Sequence, residues 1–265
     1  MRTRWHSKRF GRLLVAALLG SGLLVFRPAS ADLADDLAHG DRLYAHGRLG
    51  DARAAYRTAL DRHPGQVTLL CRLARVESEL GEEGSGESQR QMIAAAVEHA
   101  RAAVKSAPDS AQGHVWLAVA LGRQALKEGP KTRLALSREI KSEVDRAIAI
   151  NPGVGRAYHV RALWNRKLAT LNLIERGVAN TVLGGVPKGA SMENAVRDLQ
   201  RAVELEPAYV NHHLELGRTY WMLKNHADAR RSLEKAASLP SISSARDARY
   251  QAEAKELLAK LPRQG

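Results

Sequence analysis

Apolar residues recur along this chain at the three-and-four spacing of amphipathic helices, and four of these stretches close on one mark. The mark is an alanine followed five residues later by a proline: Ala59 and Pro64, Ala103 and Pro108, Ala147 and Pro152, Ala202 and Pro207. Proline cannot continue a helix, so each mark predicts the end of a helix and the turn that follows it. Repetition of the mark predicts a stack of two-helix hairpins, each closed by its second helix. Many small residues among Leu, Val and Ile let such helices approach closely, which suits a solenoid better than one large globular core.

The intervals between prolines are 44, 44 and 55 residues. Because the closing marks stay intact, the inserted residues are expected inside the hairpins. Glu82 to Ser88 reads as an acidic, glycine-broken loop. Gly129-Pro130 restarts a helix that carries Leu134, Leu136, Ile140, Val144, Ala147 and Ile148 on one face. A stripe through Val160, Leu163, Trp164, Leu168, Leu171, Ile174, Val178 and Val182 predicts one helix of about seven turns. It ends at Gly184-Gly185, and Ser191 is placed to cap the next helix with Glu193 near its positive end. Tyr250, Ala254, Leu257, Leu258 and Leu261 share a face of a closing helix over 245–261, which would cover the open end of the stack.

Gly40, Gly47, Ala52 and Tyr56 in the first unit resemble the tetratricopeptide pattern, in which small residues let paired helices touch. Leu70, Leu73, Ala74, Gly81, Ala96 and Ala103 repeat the scheme, as do Leu117, Ala118, Ala147 and Ile148. Leu216, Gly217, Tyr220, Ala229, Leu233 and Ala236 give its cleanest copy. The segment G-G-V-P-K-G-A-S before the fourth closing helix and H-H-L-E-L-G-R-T-Y opening the fifth unit resemble the regulator of microtubule dynamics family and its bacterial relatives. That resemblance covers roughly 67–261. It implies an all-α fold: a right-handed superhelical solenoid of about five elongated hairpins plus a C-terminal capping helix. The units are expected at about 33–66, 67–110, 111–154, 155–209 and 210–243. The eukaryotic role is not implied, since no residue matches a tubulin-contacting motif.

The first 31 residues stand apart from this pattern. Arg2, Arg4, Lys8, Arg9 and Arg12 precede an apolar run from Leu13 to Phe26 and then Ala29-Ser30-Ala31, the layout of a secretory signal peptide with cleavage expected after Ala31. The run is fourteen residues long, short of the roughly 20 that span a bilayer, so no permanent membrane span is expected. The expected location is therefore exported and periplasmic. Removing the leader takes away six positive charges and no negative ones, lowering the net charge from +13 to +7. The remaining basic balance favours acidic partners or anionic lipid headgroups. No basic tract interleaved with aromatics points to nucleic acid. Cys71 is the single cysteine, so no internal disulfide can form, and its Leu69, Leu70 and Leu73 neighbours predict a buried, inert thiol.

No nucleophile elbow, His-Glu-x-x-His, Walker loop or catalytic carboxylate pair is present, so an enzyme is not expected, and neither is a cofactor. His212 and His213 point about 100° apart on a helix and are read as one packing and one solvent histidine, not as a metal site. Gly184 to Gly189 could cradle an anion with Lys188, but two glycines and a proline also make a plain reversal, the reading preferred here.

Tetratricopeptide proteins line their concave face with first-helix positions, and the resemblance reads these off as a groove. It includes Tyr44, Arg75, Arg156, His159, Arg166, Asn211, Arg218 and Trp221, among apolar positions such as Val119 and Leu163. Arg161 and Asn165 stand where apolar residues are expected, which puts the fourth register in question by one residue. Alternating arginine and apolar groups suit a carboxylate-bearing segment, because guanidinium forks hold carboxylates in two-point fashion. The expected function is a binding scaffold of the bacterial envelope for a protein or peptide partner. The alternative is a carrier of an anionic amphipathic ligand such as a phospholipid.

Overall fold

The computed structural model describes residues 29–182, 185, 187–241 and 244–262; nearly all of the segment expected to be a signal peptide, residues 1–28, lies outside them. Among the described residues the chain is built of helices without strands: α1 (Ala29–Ala45), α2 (Leu49–Arg62), α3 (Val67–Glu83), α4 (Gly86–Ser106), α5 (Ala111–Ala125), α6 (Pro130–Ile150), α7 (Gly155–Ala169), α8 (Leu173–Val182), α9 (Met192–Leu205), α10 (Val210–Met222), α11 (His226–Ser238) and α12 (Ser244–Lys260). Helices α1/α2, α3/α4, α5/α6, α7/α9 and α10/α11 pack as hairpins, and α12 covers the end of the stack against α10 and α11. This is the all-α solenoid expected from the repeats. No described helix is long and apolar enough to cross a membrane.

The alanine–proline mark has one physical explanation at all four sites. Ala59, Ala103, Ala147 and Ala202 are fully buried where the helices of the stack meet. Each alanine carbonyl accepts the N–H of the residue just past its helix, from His63, Ala107, Asn151 and Glu206, so the helix ends two residues before the proline and its cap stands directly before it. The turn is then tied to the next helix in two places. His114 Nε2 lies 2.9 Å from the Pro108 carbonyl and His213 Nε2 lies 2.8 Å from that of Pro207, six residues back in each case. Close approach explains the small residues of the first helices: a Cβ on Gly40 would run into the Tyr56 ring, and one on Gly217 into Leu233.

Two of the insertions fold differently from the expectation. Glu82 to Ser88 is not a loop, because α3 continues through Glu83 and α4 starts at Gly86. The Gln89 amide donates to the carbonyls of Gly81 and Gly84 at 2.8 and 2.9 Å, capping α3 and holding the join to two residues. The seven-turn helix is broken, with α7 ending at Ala169 and α8 starting at Leu173. Asn172 Oδ1 accepts the Glu175 N–H at 2.8 Å while Glu175 Oε2 accepts the Asn172 N–H at 2.9 Å, a reciprocal capping box. Arg176 donates to the carbonyls of Leu168, Ala169 and Leu171, so the end of α7 and the start of α8 satisfy one another. Elsewhere Pro130 opens α6 and the Ser191 hydroxyl accepts the Asn194 N–H at 3.1 Å, as expected. Gly185 and Gly189 have φ of 90° and 84°, and Arg138 donates to the Gly185 carbonyl at 2.9 Å. Gly184 and Val186 of the anion-cradle segment lie outside the described residues.

The core runs along the stack as a series of clusters. Trp116 and Trp164 anchor the central one, and Tyr44, Tyr56 and Leu69 the N-terminal one. Val210, Leu214, Leu233, Tyr250 and Ala254 form the C-terminal one, against which Trp221 packs only partly buried. Arg161 and Asn165 do not signal a shifted register. Both reach buried Asp198 of α9, Arg161 at 2.8 and 2.7 Å through two nitrogens and Asn165 at 3.1 Å, so part of the α7–α9 seam is a satisfied polar contact.

Candidate functional site

The inner faces of α3, α5, α7 and α10 border a hollow of about 870 Å³. Its walls are largely apolar, with Trp116, Val119, Leu134, Ile140, Leu163 and Leu168 among them. Arg123, Arg156, Lys167, Arg218 and Arg246 bring positive charge to it, and Glu79, Glu82, Glu215 and Glu253 bring carboxylates. A volume of this size is in the range of small-ligand sites.

The sequence-assigned groove residues distribute unevenly around it. Arg156, His159, Asn211 and Arg218 border the hollow, together with Ser78, Val119, Gly122 and Leu163 of the same register. Asn211 Oδ1 is buried there without a hydrogen-bond partner among the described residues. Arg166 is tied into the α7–α10 contact, donating to the Glu215 carboxylate and carbonyl and to the Thr219 hydroxyl. Arg218 is paired with Glu215 at 3.0 Å and with Glu253 of α12. Tyr44 donates to Glu79 Oε1 at 2.9 Å, and the Arg75 guanidinium lies 3.8 Å over the Tyr44 ring. Trp221 faces the C-terminal cluster instead.

What sequence reasoning missed is the closure. Arg246 of α12 pairs with Glu79 and Glu82 of α3, and Arg249 pairs with Glu82 at 2.8 Å, joining positions 167 residues apart. Arg123 also pairs with Glu82, and the Tyr250 hydroxyl accepts from Arg246 at 2.7 Å. The concave surface therefore walls a hollow bridged by the terminal helix rather than lining an open groove. Burial works to raise the Glu82 carboxyl, but Arg123, Arg246 and Arg249 outweigh it and hold the group below its ordinary range. Burial likewise works against the Arg246 charge, but Glu79 together with Tyr250, Tyr209 and Tyr44 outweighs it and holds the group above its ordinary range. The signal in the sequence is a matched spacing, Glu79 and Glu82 against Arg246 and Arg249, each pair three residues apart on one helix face.

A second cluster stands at the α7–α10 seam. His212 and His213 are both buried, correcting the reading of one of the two as a solvent residue. His212 Nε2 lies 3.2 Å from Glu206 Oε2, and His212 Nδ1 lies 2.9 Å from His159 Nδ1. With the carboxylate ionised, the network assigns His212 Nε2–H as donor to Glu206 and His159 Nδ1–H as donor to His212. Burial, then the charges of His212 and Arg156, push His159 well below an ordinary histidine. Burial also lowers His212, against the pull of Glu206. No group of three metal-ligating side chains is assembled among the described residues. Cys71 is buried, and burial pushes its thiol up to about 11, which keeps it protonated and inert at neutral pH.

The solenoid has clear counterparts among solved structures. A thermophilic tetratricopeptide protein of Thermus thermophilus superposes with a TM-score of 0.65, at 19% identity, over 86% of this chain and 99% of that one. PilF of Pseudomonas aeruginosa superposes at 0.54, with 14% identity, over 88% and 93%. At these identities the likeness shows the fold alone, a helical-repeat solenoid. In sequence the chain is 28% identical to regulator of microtubule dynamics protein 1 of Bos taurus over 91% of its own length and 76% of that protein's. It is 29% identical to protein 1 of Caenorhabditis elegans, over 75% and 88%. Against protein 3 of Rattus norvegicus it is 29% identical and spans about half of that relative, 52%. The family profile of regulator of microtubule dynamics proteins 1-3 matches residues 36–262, from within α1 through the capping helix, and the chain belongs to that family.

Proposed function

We propose that this protein is a non-catalytic interaction scaffold of the bacterial cell envelope whose inner surface seats a segment of a partner protein. The observation that carries this is the hollow itself: first-helix residues of successive hairpins converge on one apolar-walled space with arginines at its border. Glu79, Glu82, Glu215 and Glu253 around it are engaged by arginines, an arrangement for recognition rather than proton transfer. The basic and apolar leader with Ala29-Ser30-Ala31 supports export to the periplasm with cleavage after Ala31. An exported chain would not meet microtubules, so the activity named in its relatives is not carried over.

A photo-crosslinking residue in place of Leu163, on the wall, and another in place of Glu98, on the exposed face of α4, test the reading in cells. Protein adducts at Leu163 and none at Glu98 are the expected result. Protein adducts from Glu98 alone would reject it. A second reading, a carrier of an anionic amphipathic ligand such as a phospholipid, draws on the volume and apolar walls of the hollow. Extractable lipid retained by the purified protein, with no protein adduct at Leu163, would favour that reading instead.

A further inference from the structure

The hollow shares a border with a smaller cavity of about 320 Å³, and Arg156 and Tyr209 line both. The Arg156 guanidinium lies between two rings, 4.9 Å from the Trp116 centroid and 4.8 Å from that of Tyr209. Its backbone N–H donates to Glu206 Oε1 at 3.1 Å, but its guanidinium donates no hydrogen bond among the described residues. Arg75 borders the smaller cavity too. Its guanidinium lies 3.8 Å over Tyr44 and 5.9 Å from the Trp116 centroid, and its buried Nε makes no hydrogen bond, with Glu79 Oε1 at 3.5 Å. Aromatic stacking satisfies the faces of these two planar cations while leaving edge donors unused. Those edges are the part of a guanidinium that grips a carboxylate at two points.

The geometry points to an oxyanion subsite at the junction of the two cavities, in which Arg156, with Arg75 beside it, takes one carboxylate whose apolar neighbours occupy the hollow. The inference rests on the hollow being the seat of a protein segment, and it names the anchor of that segment as an acidic side chain or chain end. A single negative charge fits better than two, because Glu206 and Asp247 also border the smaller cavity and would repel a dianion. Trp116 and Tyr209 fix the Arg156 plane in advance, which lowers the entropy cost of the two-point grip.

N-acetyl-leucine carries one carboxylate on an apolar body, N-acetyl-leucinamide is its neutral twin, and inorganic phosphate at pH 7.5 is mostly a dianion. Each is titrated into the full chain while the Arg156 Nε–H and Trp116 indole resonances are followed by NMR. The acid is expected to shift both at concentrations about tenfold or more below those needed for the amide. R156Q is expected to abolish that preference without changing the melting temperature. Equal binding of acid and amide, a preference that survives R156Q, or phosphate binding more tightly than N-acetyl-leucine would each overturn the assignment. The wild-type comparison of acid with amide stands even if R156Q does not fold. Failure of the subsite is distinguishable from failure of the scaffold reading, since crosslinking at Leu163 reports the second independently of the first.

Discussion

At the residue scale, the buried histidine pair makes stability depend on pH in a defined direction. His159, His212 and His213 all have folded values below 6.5, the ordinary value, with burial the leading cause at each. Arg156, Arg166 and Arg123 act on His159 in the same sense, and Glu206 opposes at His212. As pH falls below about 6.5 the unfolded chain takes up protons that the folded chain refuses, so stability declines through that window and is flat above it. The lowered carboxyls, Glu82 and Glu206, act the same way only below their ordinary 4.5, so the histidine window stands clear of theirs. Urea unfolding followed by circular dichroism should give a constant midpoint from pH 7 to 8 and a falling one from 6.5 to 5.5. A double H159N/H212N variant should flatten most of the decline, His213 keeping the rest. A midpoint unchanged down to pH 5.5 in the parent protein would contradict the neutral assignment.

At the scale of the element, what was legible in the sequence was local. A buried alanine, a carbonyl that closes the helix and a proline that blocks the next turn all lie within six residues, so the ends of α2, α4, α6 and α9 could be read from the chain alone. The break between α7 and α8 was masked because the apolar stripe runs across it without glycine or proline, and periodicity outvoted the Asn172-Leu173-Ile174-Glu175 cap. The same error in reverse made Glu82 to Ser88 look like a loop. Its glycines and carboxylates read as linker, whereas the Gln89 amide and the arginines around Glu82 make helix of most of it. The cap yields a prediction. N172A removes the acceptor of the Glu175 N–H and should cost α8 about 1 kcal/mol. Amide hydrogen exchange across 173–182 should speed up by several fold, with exchange across α5 and α10 unchanged. Equal acceleration in all three helices would mean that the α7–α8 junction supports the whole fold instead of one element.

At the scale of the whole molecule, part of the inward face of α7 and α10 was readable in the sequence but not how far the stack curves. Curvature is a sum of small rotations between hairpins, and no single residue encodes it. Thus Arg156, His159, Asn211 and Arg218 could be placed on the inner surface, while the return of α12 to α3 could not be foreseen. The character of that return sets the last prediction. Tyr250, Ala254 and Leu261 seat α12 on its own neighbours through apolar burial, and no apolar cluster joins it to α3 among the described residues. The bridge to α3 is ionic, from Arg246 and Arg249 to Glu79 and Glu82. Broken by a swing of α12, these charges regain water, so opening is expected to cost roughly 1–3 kcal/mol rather than the full penalty of stranded buried ions. R246E/R249E sets four carboxylates against one another and should hold the bridge open. Small-angle scattering would then show a larger radius of gyration, and exchange in α3 and α12 would rise while the C-terminal cluster stays protected. Raising salt should move the parent protein in the same direction by a smaller amount, since Arg246 and Glu79 are largely buried and only partly screened. E79R/E82R combined with R246E/R249E restores opposite charges and should close the ring again. If the quadruple variant stays as open as the double one, some contact other than the paired charges holds α12 to α3.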